Sequence, residues 1–287
     1  MNAHDLIREI IERKGKVENV FWIACGGSMI DLMPANELLK REATTFISTV
    51  YTAREFCLMA PKSLGEKSLV IACSHSGNTQ EVVDGCEMAL AAGAEVIALT
   101  DCEGSKIDNG KWTTWVYPWG KGESQAEVPQ GIGVLMAAEL LDQQEGYEAL
   151  ADMYAGLKQM DALLPAAREK VNAELGDRFA ELCQQHKFFY ILGSGPNFSQ
   201  TYAMAICYAH GDAVAALTAT STPASTSTAR SRLPSPACST LCSSDRASVA
   251  PWRSARSHSS TRIPIRSWCS MRSSTAWARC PPACVRS

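Results

Sequence analysis

The sequence predicts an α/β fold, a doubly wound parallel sheet, and three observations carry that prediction. Strand-like apolar runs recur at a spacing of roughly 20–25 residues with helical stretches between them, the rhythm of repeated βαβ units. Two of those runs lead into loops rich in Gly and Ser that open helices. The same strand-turn-helix pattern then returns far down the chain.

The first run, Val20 to Cys25, is continuously apolar, as a strand covered on both faces must be. It leads into Gly26-Gly27-Ser28. The second, Phe46 to Tyr51, is followed by Thr52-Ala53-Arg54-Glu55, a capping box before Phe56-Cys57-Leu58, and Pro61 closes that helix. The third, Ser68 to Cys73, runs into Ser74-His75-Ser76-Gly77-Asn78-Thr79 and the helix-like Gln80-Glu81-Val82-Val83. Glu95 to Thr100 and Trp112 to Tyr117 complete a five-strand sheet. In the last of these, Trp112, Trp115, Tyr117 and Trp119 alternate at strand period and read as core and edge packing.

A helical region from Ala126 to about Gln185 leads to a second unit. Lys187 to Leu192 followed by Gly193-Ser194-Gly195 repeats the logic of the first strand and its turn, with Gly193 lying 167 positions after Gly26. The pattern predicts a duplicated domain whose second copy stops after its first helix, Phe198 to Tyr208. The expected organisation is a first domain over 1–150, linking helices and the start of a second over 151–208, and an aberrant tail over 209–287.

At 287 residues and 46% apolar composition the chain can build sizeable cores. It has no apolar run of about 18 residues. Met1 to Lys14 reads as a charged amphipathic helix rather than a secretion signal, so a cytoplasmic protein without membrane partners is expected. Twelve cysteines fall without CxxC pairs, and Cys25, Cys73 and Cys207 sit inside apolar runs. Neither disulfides nor zinc are expected, and no cofactor is.

The tail differs in texture. Residues 1–208 carry 17 Lys+Arg and 28 Asp+Glu, whereas residues 209–287 carry ten Arg, no Lys and two Asp, so net charge swings from −11 to +8. The tail also holds 26 Ser+Thr and shows no sustained periodicity. A basic nucleic-acid arm would fit the charge but normally uses lysine as well. Translation out of register is the other reading. Allowed codons for Thr220 to Ser231, read from their third base, give IHSGEYFHGPF; the same displaced register continues as EITESRLFYLVL and, from Pro251, as MEERALAFLDTHTDTELVLDAIEYGMG. Three protein-like stretches in one register favour the out-of-frame tail, and no nucleic-acid partner is expected.

The chemistry concentrates in Ser74–Thr79. Backbone N–H groups point outward where a strand turns into a helix, and the dipole there favours an anion. Gly77 permits a tight turn, while Ser74, Ser76 and Thr79 supply donors for a dianion. The six residues contain no lysine and no GxxxxGK[ST] pattern, which argues against a nucleotide P-loop and for a sugar phosphate. On these residues alone a simple helix cap and a phosphate site both stay open.

Ala24-Cys25-Gly26-Gly27-Ser28 and Ser74 to Thr79, with their strands and spacing, resemble the first domain of the sugar isomerase (SIS) family, flavodoxin-like three-layer sandwiches. The displaced strings HSGEYFHGPFE and MEERALAFL resemble that family's second domain, and within it the deglycases of 6-phosphorylated Amadori compounds such as fructose-asparagine, fructoselysine and glucoselysine. The resemblance implies a sugar 6-phosphate ligand held by Gly27, Ser28, Ser74, Ser76, Gly77 and Thr79, with His75 in a binding role and Asn78 there or capping the helix. It brings Ser124, Glu127 and Gln130 to the sugar, although Glu127 also reads as an acidic first helical turn. Gly193, Ser194 and Gly195 are the equivalent loop of the second copy. The family's active sites lie at dimer interfaces, which implies a homodimer or higher homo-oligomer. Its acid and base are a glutamate on the helix after Gly193-Ser194-Gly195 and a histidine in the FHGPFE segment. Here that helix continues Ala205-Ile206-Cys207-Tyr208-Ala209-His210-Gly211, where a one-base shift permits MEMQW, and the histidine's place reads Ser227-Thr228. No catalytic group is present as written, so impaired turnover is expected. An aldose–ketose isomerase, a glucosamine 6-phosphate synthase isomerase domain and a non-catalytic phosphosugar sensor are the alternatives; Met1 to Lys14 is too short for the helix-turn-helix a sensor would bring.

Overall fold

The computed structural model describes residues 1–120, 124–186 and 188–209, with strands at 216–221, 239–243 and 263–265. Glu123, Lys187, His210, Ser227-Thr228 and most of the Arg/Ser-rich tail lie outside the described residues. The chain divides into two units, Met1–Asp161 and Ala162–Ser287.

In the first unit five parallel strands, β1 (Asn19–Ala24), β2 (Ile47–Thr52), β3 (Ser68–Cys73), β4 (Glu95–Thr100) and β5 (Thr113–Val116), form one sheet in the order β2-β1-β3-β4-β5. The doubly wound parallel sheet is therefore observed. Its central members, β1 and β3, are buried almost throughout, and the edges β2 and β5 are only partly covered, which is why the first pair reads as unbroken apolar runs. Helices α1 (Ala3–Lys14), α2 (Gly27–Glu42) and α5 (Pro129–Glu145) pack together, while α3 (Ala53–Met59) packs on α4 (Gln80–Ala91). Alternate residues of β1 serve the two layers. Phe21 and Ile23 join Phe56, Val82 and Cys86 in one core. Trp22 faces α2 and α5, close to Leu32, Ala35 and Gly133, and its indole donates to Ser48 Oγ at 2.9 Å, which donates on to Asn36 Oδ1 at 2.8 Å. A buried N–H without that chain would forfeit its desolvation energy. Thr52 of the predicted capping box caps α3, its Oγ1 accepting from the Glu55 amide at 3.3 Å.

Because β1 leads outward to β2 on one side and β3 lies on the other, the strand order reverses between β1 and β3. Open α/β sheets bind ligands outside the carboxyl ends of such a pair, where the two crossover helices diverge. Ala24 and Cys73, the last residues of the two strands, are register partners, so the loops Cys25–Ser28 and Ser74–Thr79 leave the sheet side by side.

Helix α6 (Leu150–Val171) leads through a π-type turn into α7 (Asp177–Gln185). The second unit holds a four-stranded parallel sheet of β6 (Phe188–Gly193), β7 (Ala216–Ser221), β8 (Ser239–Ser243) and β9 (Ile263–Ile265), ordered β7-β6-β8-β9. That order repeats β2-β1-β3-β4. Three strands beyond residue 208 correct the expectation that regular structure ends there: Ala216 to Ser221 mixes Leu and Thr, residues that fit a pleat, and β6 offers it a partner. Among the described residues no helix is long and apolar enough to cross a membrane, and no group of three or more His, Cys, Asp or Glu could hold a metal ion.

Candidate functional site

The site begins where β3 ends. Ser74 N–H donates to Leu99 O at 3.0 Å, prolonging the β3–β4 ladder by one residue, and Gly77 N–H closes a turn on Ser74 O at 2.9 Å. Gly77 sits at φ +65°, where a side chain is disfavoured. Space forbids one as well: a Cβ there would lie 1.9 Å from Ser105 Oγ and 2.9 Å from Thr100 Oγ1. Thr100 Oγ1, itself buried, donates to His75 O at 3.2 Å, and the Asp101 amide donates to the same carbonyl at 3.2 Å. The loop is thus braced from below by the end of β4.

Ser74 is buried, and its hydroxyl donates to Thr79 Oγ1 at 3.0 Å, bridging the two ends of the turn. Ser76 is exposed, and Asn78 folds back on it: the Asn78 amide donates to Ser76 Oγ at 3.3 Å and Nδ2 to Ser76 O at 2.9 Å. The N-cap of α4 is Thr79 rather than Asn78, because the Asn78 side chain is already committed to Ser76 and to the Lys106 amide, 3.3 Å from its Oδ1. The amides of Ser76, Thr79, Gln80 and Glu81 take no partner among the described residues.

The second wall comes from β1. Gly26, at φ +56°, turns the chain into α2, leaving Gly27 exposed and Ser28 half-buried. Ser28 Oγ accepts the His75 amide at 3.3 Å, joining the two loops. Two helix N-termini therefore converge on one spot, each with outward N–H groups and a positive dipole end. Such an arrangement is a ready anion site. Burial raises the thiol of adjacent Cys25, which therefore stays protonated at neutral pH.

His75 is exposed but its ring is held. Nδ1 lies 3.0 Å from the Tyr117 phenol oxygen, the Tyr117 ring stacks at 6.0 Å between centroids, and Trp119 meets it edge-on at 5.1 Å. Tyr117 is fully buried, and burial first, then the neighbouring Cys73 and Asp31, push its phenol far above the ordinary range. It is a neutral hydrogen-bonding post. Trp112, half-buried, donates to Ile107 O at 2.8 Å and packs on the α3/α4 core. Tyr117 and Trp119 thus do more than fill core and edge: they fix the histidine.

Ser124, Glu127 and Gln130 lie elsewhere in hydrogen-bonding terms. Helix α5 starts at Pro129, so Glu127 precedes it and is no first-turn acid; its carboxylate turns back to accept the Ser124 amide at 2.9 Å. Gln125 N–H donates to Asp161 Oδ1 at 2.6 Å, and Gly131 lets the turn pass, since a Cβ there would fall 1.8 Å from Gln125 O. Among the described residues none of these joins the network around Gly77. In the second unit Gly193 ends β6 and Gly195 takes φ +55°. Strand ends and turn glycines of the two units thus correspond at a separation of 169 positions, with Gly195 matching Gly26 and Ser194 matching Cys25. The sequence pairing of Gly193 with Gly26 is two residues out of register.

A model of the SIS domain matches residues 16–117, the span from the entry to β1 through Tyr117. This chain carries a SIS domain. Fructosamine deglycase FrlB of Bacillus subtilis (strain 168) is 33% identical over 195 residues, covering 68% of this chain and 59% of that protein. Fructoselysine 6-phosphate deglycase of Escherichia coli (strain K12) is 24% identical over 198 residues, covering 68% and 55%. The chain therefore spans between half and two thirds of the length of these relatives. Among solved structures, a provisionally assigned phosphosugar isomerase from Salmonella typhimurium LT2 superposes with a TM-score of 0.80 at 25% identity, over 89% of this chain and 77% of that one. Another, from Bacillus subtilis, gives 0.71 at 27% identity, over 84% and 72%.

Proposed function

We propose that the cradle of the SIS domain binds a sugar 6-phosphate and that the chain derives from a deglycase, splitting fructose-amino acid 6-phosphates into glucose 6-phosphate and the free amino acid. One observation supports the binding reading above others: the N-termini of α2 and α4 meet at the point of strand-order reversal, tied by Ser28 and His75, with unpartnered amides on Ser76 and Thr79. Gly27, Ser28, Ser76, Gly77 and Thr79 surround the phosphate in this reading, Ser74 and Asn78 hold the loop's shape, and His75 faces the sugar side. Ser124, Glu127 and Gln130 border the sugar, and Gly193, Ser194 and Gly195 form the matching loop of the second unit. The deglycase reading draws on the deglycases among the relatives.

Deglycation moves a proton along the ketoamine skeleton and protonates the departing amine, which calls for one base and one acid. Residues 198–209 contain neither Asp nor Glu. The chain as written is therefore a binder with poor turnover, and its tail from about residue 209 is an out-of-frame product. Incubation with fructose-asparagine 6-phosphate and assay of glucose 6-phosphate tests this: release slower than about one-hundredth of that by a frame-restored chain is expected, and equal rates refute it. A thermal-shift panel separates the isomerase alternative, supported by a relative named as an isomerizing glutamine–fructose-6-phosphate aminotransferase: preference for plain hexose 6-phosphates over amino-acid conjugates would favour it. A homodimer is proposed, with light scattering as its test.

A further inference from the structure

The connection from β4 to β5 carries the strongest unassigned feature. It crosses the loop of Gly77, with Ile107 N–H donating to Gly77 O at 2.9 Å and Ser105 lying against the glycine. Between them stands Lys106, exposed. Its amide donates to Asn78 Oδ1 at 3.3 Å and its Nζ to Gln80 Oε1 at 3.2 Å. Gln80 Nε2 in turn donates to Asp84 Oδ1 at 2.8 Å, which sets the amide so that its oxygen faces the lysine.

The placement pairs the lysine directly with none of the nearby carboxylates. Residues 101–112 offer Lys106 three carboxylates, Asp101, Glu103 and Asp108, yet among the described residues Lys106 joins no ion pair. Asp108 instead accepts the Gly104 amide at 2.9 Å. The ammonium is held by the side chain of Gln80, the first residue of α4, with Asp84 one turn on across the same amide; the adjoining helix end favours an anion over a cation. A fixed cation beside the positive end of one helix, with the positive end of a second joined to the same loop, makes electrostatic sense when an anion of more than one charge sits among them.

We infer that Lys106 is a specificity-determining residue of the cradle, the ammonium that selects a doubly charged phosphate monoester over a singly charged or neutral sugar. The inference rests on the phosphosugar reading above and extends it: the cation absent from Ser74–Thr79 is delivered from the next crossover, 28 positions beyond Asn78.

The test is calorimetric titration of the full 287-residue chain at pH 8 with glucose 6-phosphate and with glucose 6-sulfate, which keeps the geometry but carries one charge. Wild type is expected to prefer the phosphate. Lys106→Gln should weaken glucose 6-phosphate binding about tenfold while changing the sulfate less, and should flatten the loss of affinity with added salt. Lys106→Arg should stay within about threefold of wild type, because it keeps the charge on a side chain of similar reach. If wild type binds glucose 6-phosphate and Lys106→Gln matches it in affinity and phosphate-to-sulfate ratio, the role of Lys106 is overturned and the cradle stands. If wild type binds neither ester, the cradle reading falls and this inference with it.

Discussion

Replacing Gly77 by Ala probes the cradle at its tightest point. Two penalties combine. Holding an L-residue at φ +65° costs roughly 1–2 kcal/mol. The new methyl would also sit 1.9 Å from Ser105 Oγ and 2.4 Å from Ser105 Cβ, where carbon contacts normally lie near 3.5–4.0 Å. Overpacking of that kind adds roughly 1–3 kcal/mol. Relief is restricted, because Ser105 Oγ is anchored to Cys102 O at 2.6 Å and the next residues hold Asn78 and Gly77 itself. The sum, roughly 2–5 kcal/mol, corresponds to a fall in melting temperature of roughly 5–15 °C for a unit of this size. The double variant Gly77→Ala/Ser105→Gly separates the terms: removing the Ser105 side chain relieves its overlap and should return roughly 1–3 kcal/mol, leaving the backbone strain and the 2.9 Å approach to Thr100 Oγ1. Thermal and urea unfolding measure both. A Gly77→Ala protein within about 0.5 kcal/mol of wild type, or no coupling between the two sites, would refute the packing argument.

Glu139→Gln should destabilise by roughly 1–3 kcal/mol in urea unfolding, since the buried carboxylate accepts from Tyr154 at 2.7 Å, meets His4 at 2.9 Å and takes Gln143 at 3.1 Å. Burial alone would raise its pKa, but those hydrogen bonds outweigh burial and lower it; stability is therefore present above the unfolded carboxylate value and lost as pH falls through the folded one, and Glu139→Gln should flatten that acid limb. Tyr117→Phe removes the phenol 3.0 Å from His75 Nδ1 and should free the imidazole, read as altered His75 ring NMR chemical shifts at fixed pH, while the hexose 6-phosphate affinity falls by less than about tenfold; unmoved ring shifts would count against the clamp. Phe56→Ala, in the core shared by α3, α4 and β1, should cost about 3–5 kcal/mol by the same unfolding assay.

The fold was legible because its signals are local. β3 and β4 fall on the runs Ser68 to Cys73 and Glu95 to Thr100, where apolar residues start and stop abruptly. β1 ends one residue before its apolar run does, because the chain has already begun to turn toward Gly26 at φ +56°, and a strand does not extend through that turn. The cradle's loop was visible for the same reason: strand, hydroxyls, glycine and helix lie in one short stretch.

What escaped the sequence is what arrives from other strands. Tyr117 reaches His75 across 42 positions and Ser28 reaches the His75 amide across 47, and nothing in local periodicity distinguishes an aromatic that clamps a histidine from one that fills a core. The clearest case is the missing lysine. Counting residues inside Ser74–Thr79 gives a loop without cationic charge, whereas parallel topology places every crossover's exit at the same edge of the sheet, so the loop after β4 delivers Lys106 beside Gln80. In a sheet of this kind the charge of a site is a property of neighbouring strand ends taken together. A motif read along one strand therefore defines the shape of an anion site better than it defines how much charge that site is built to meet.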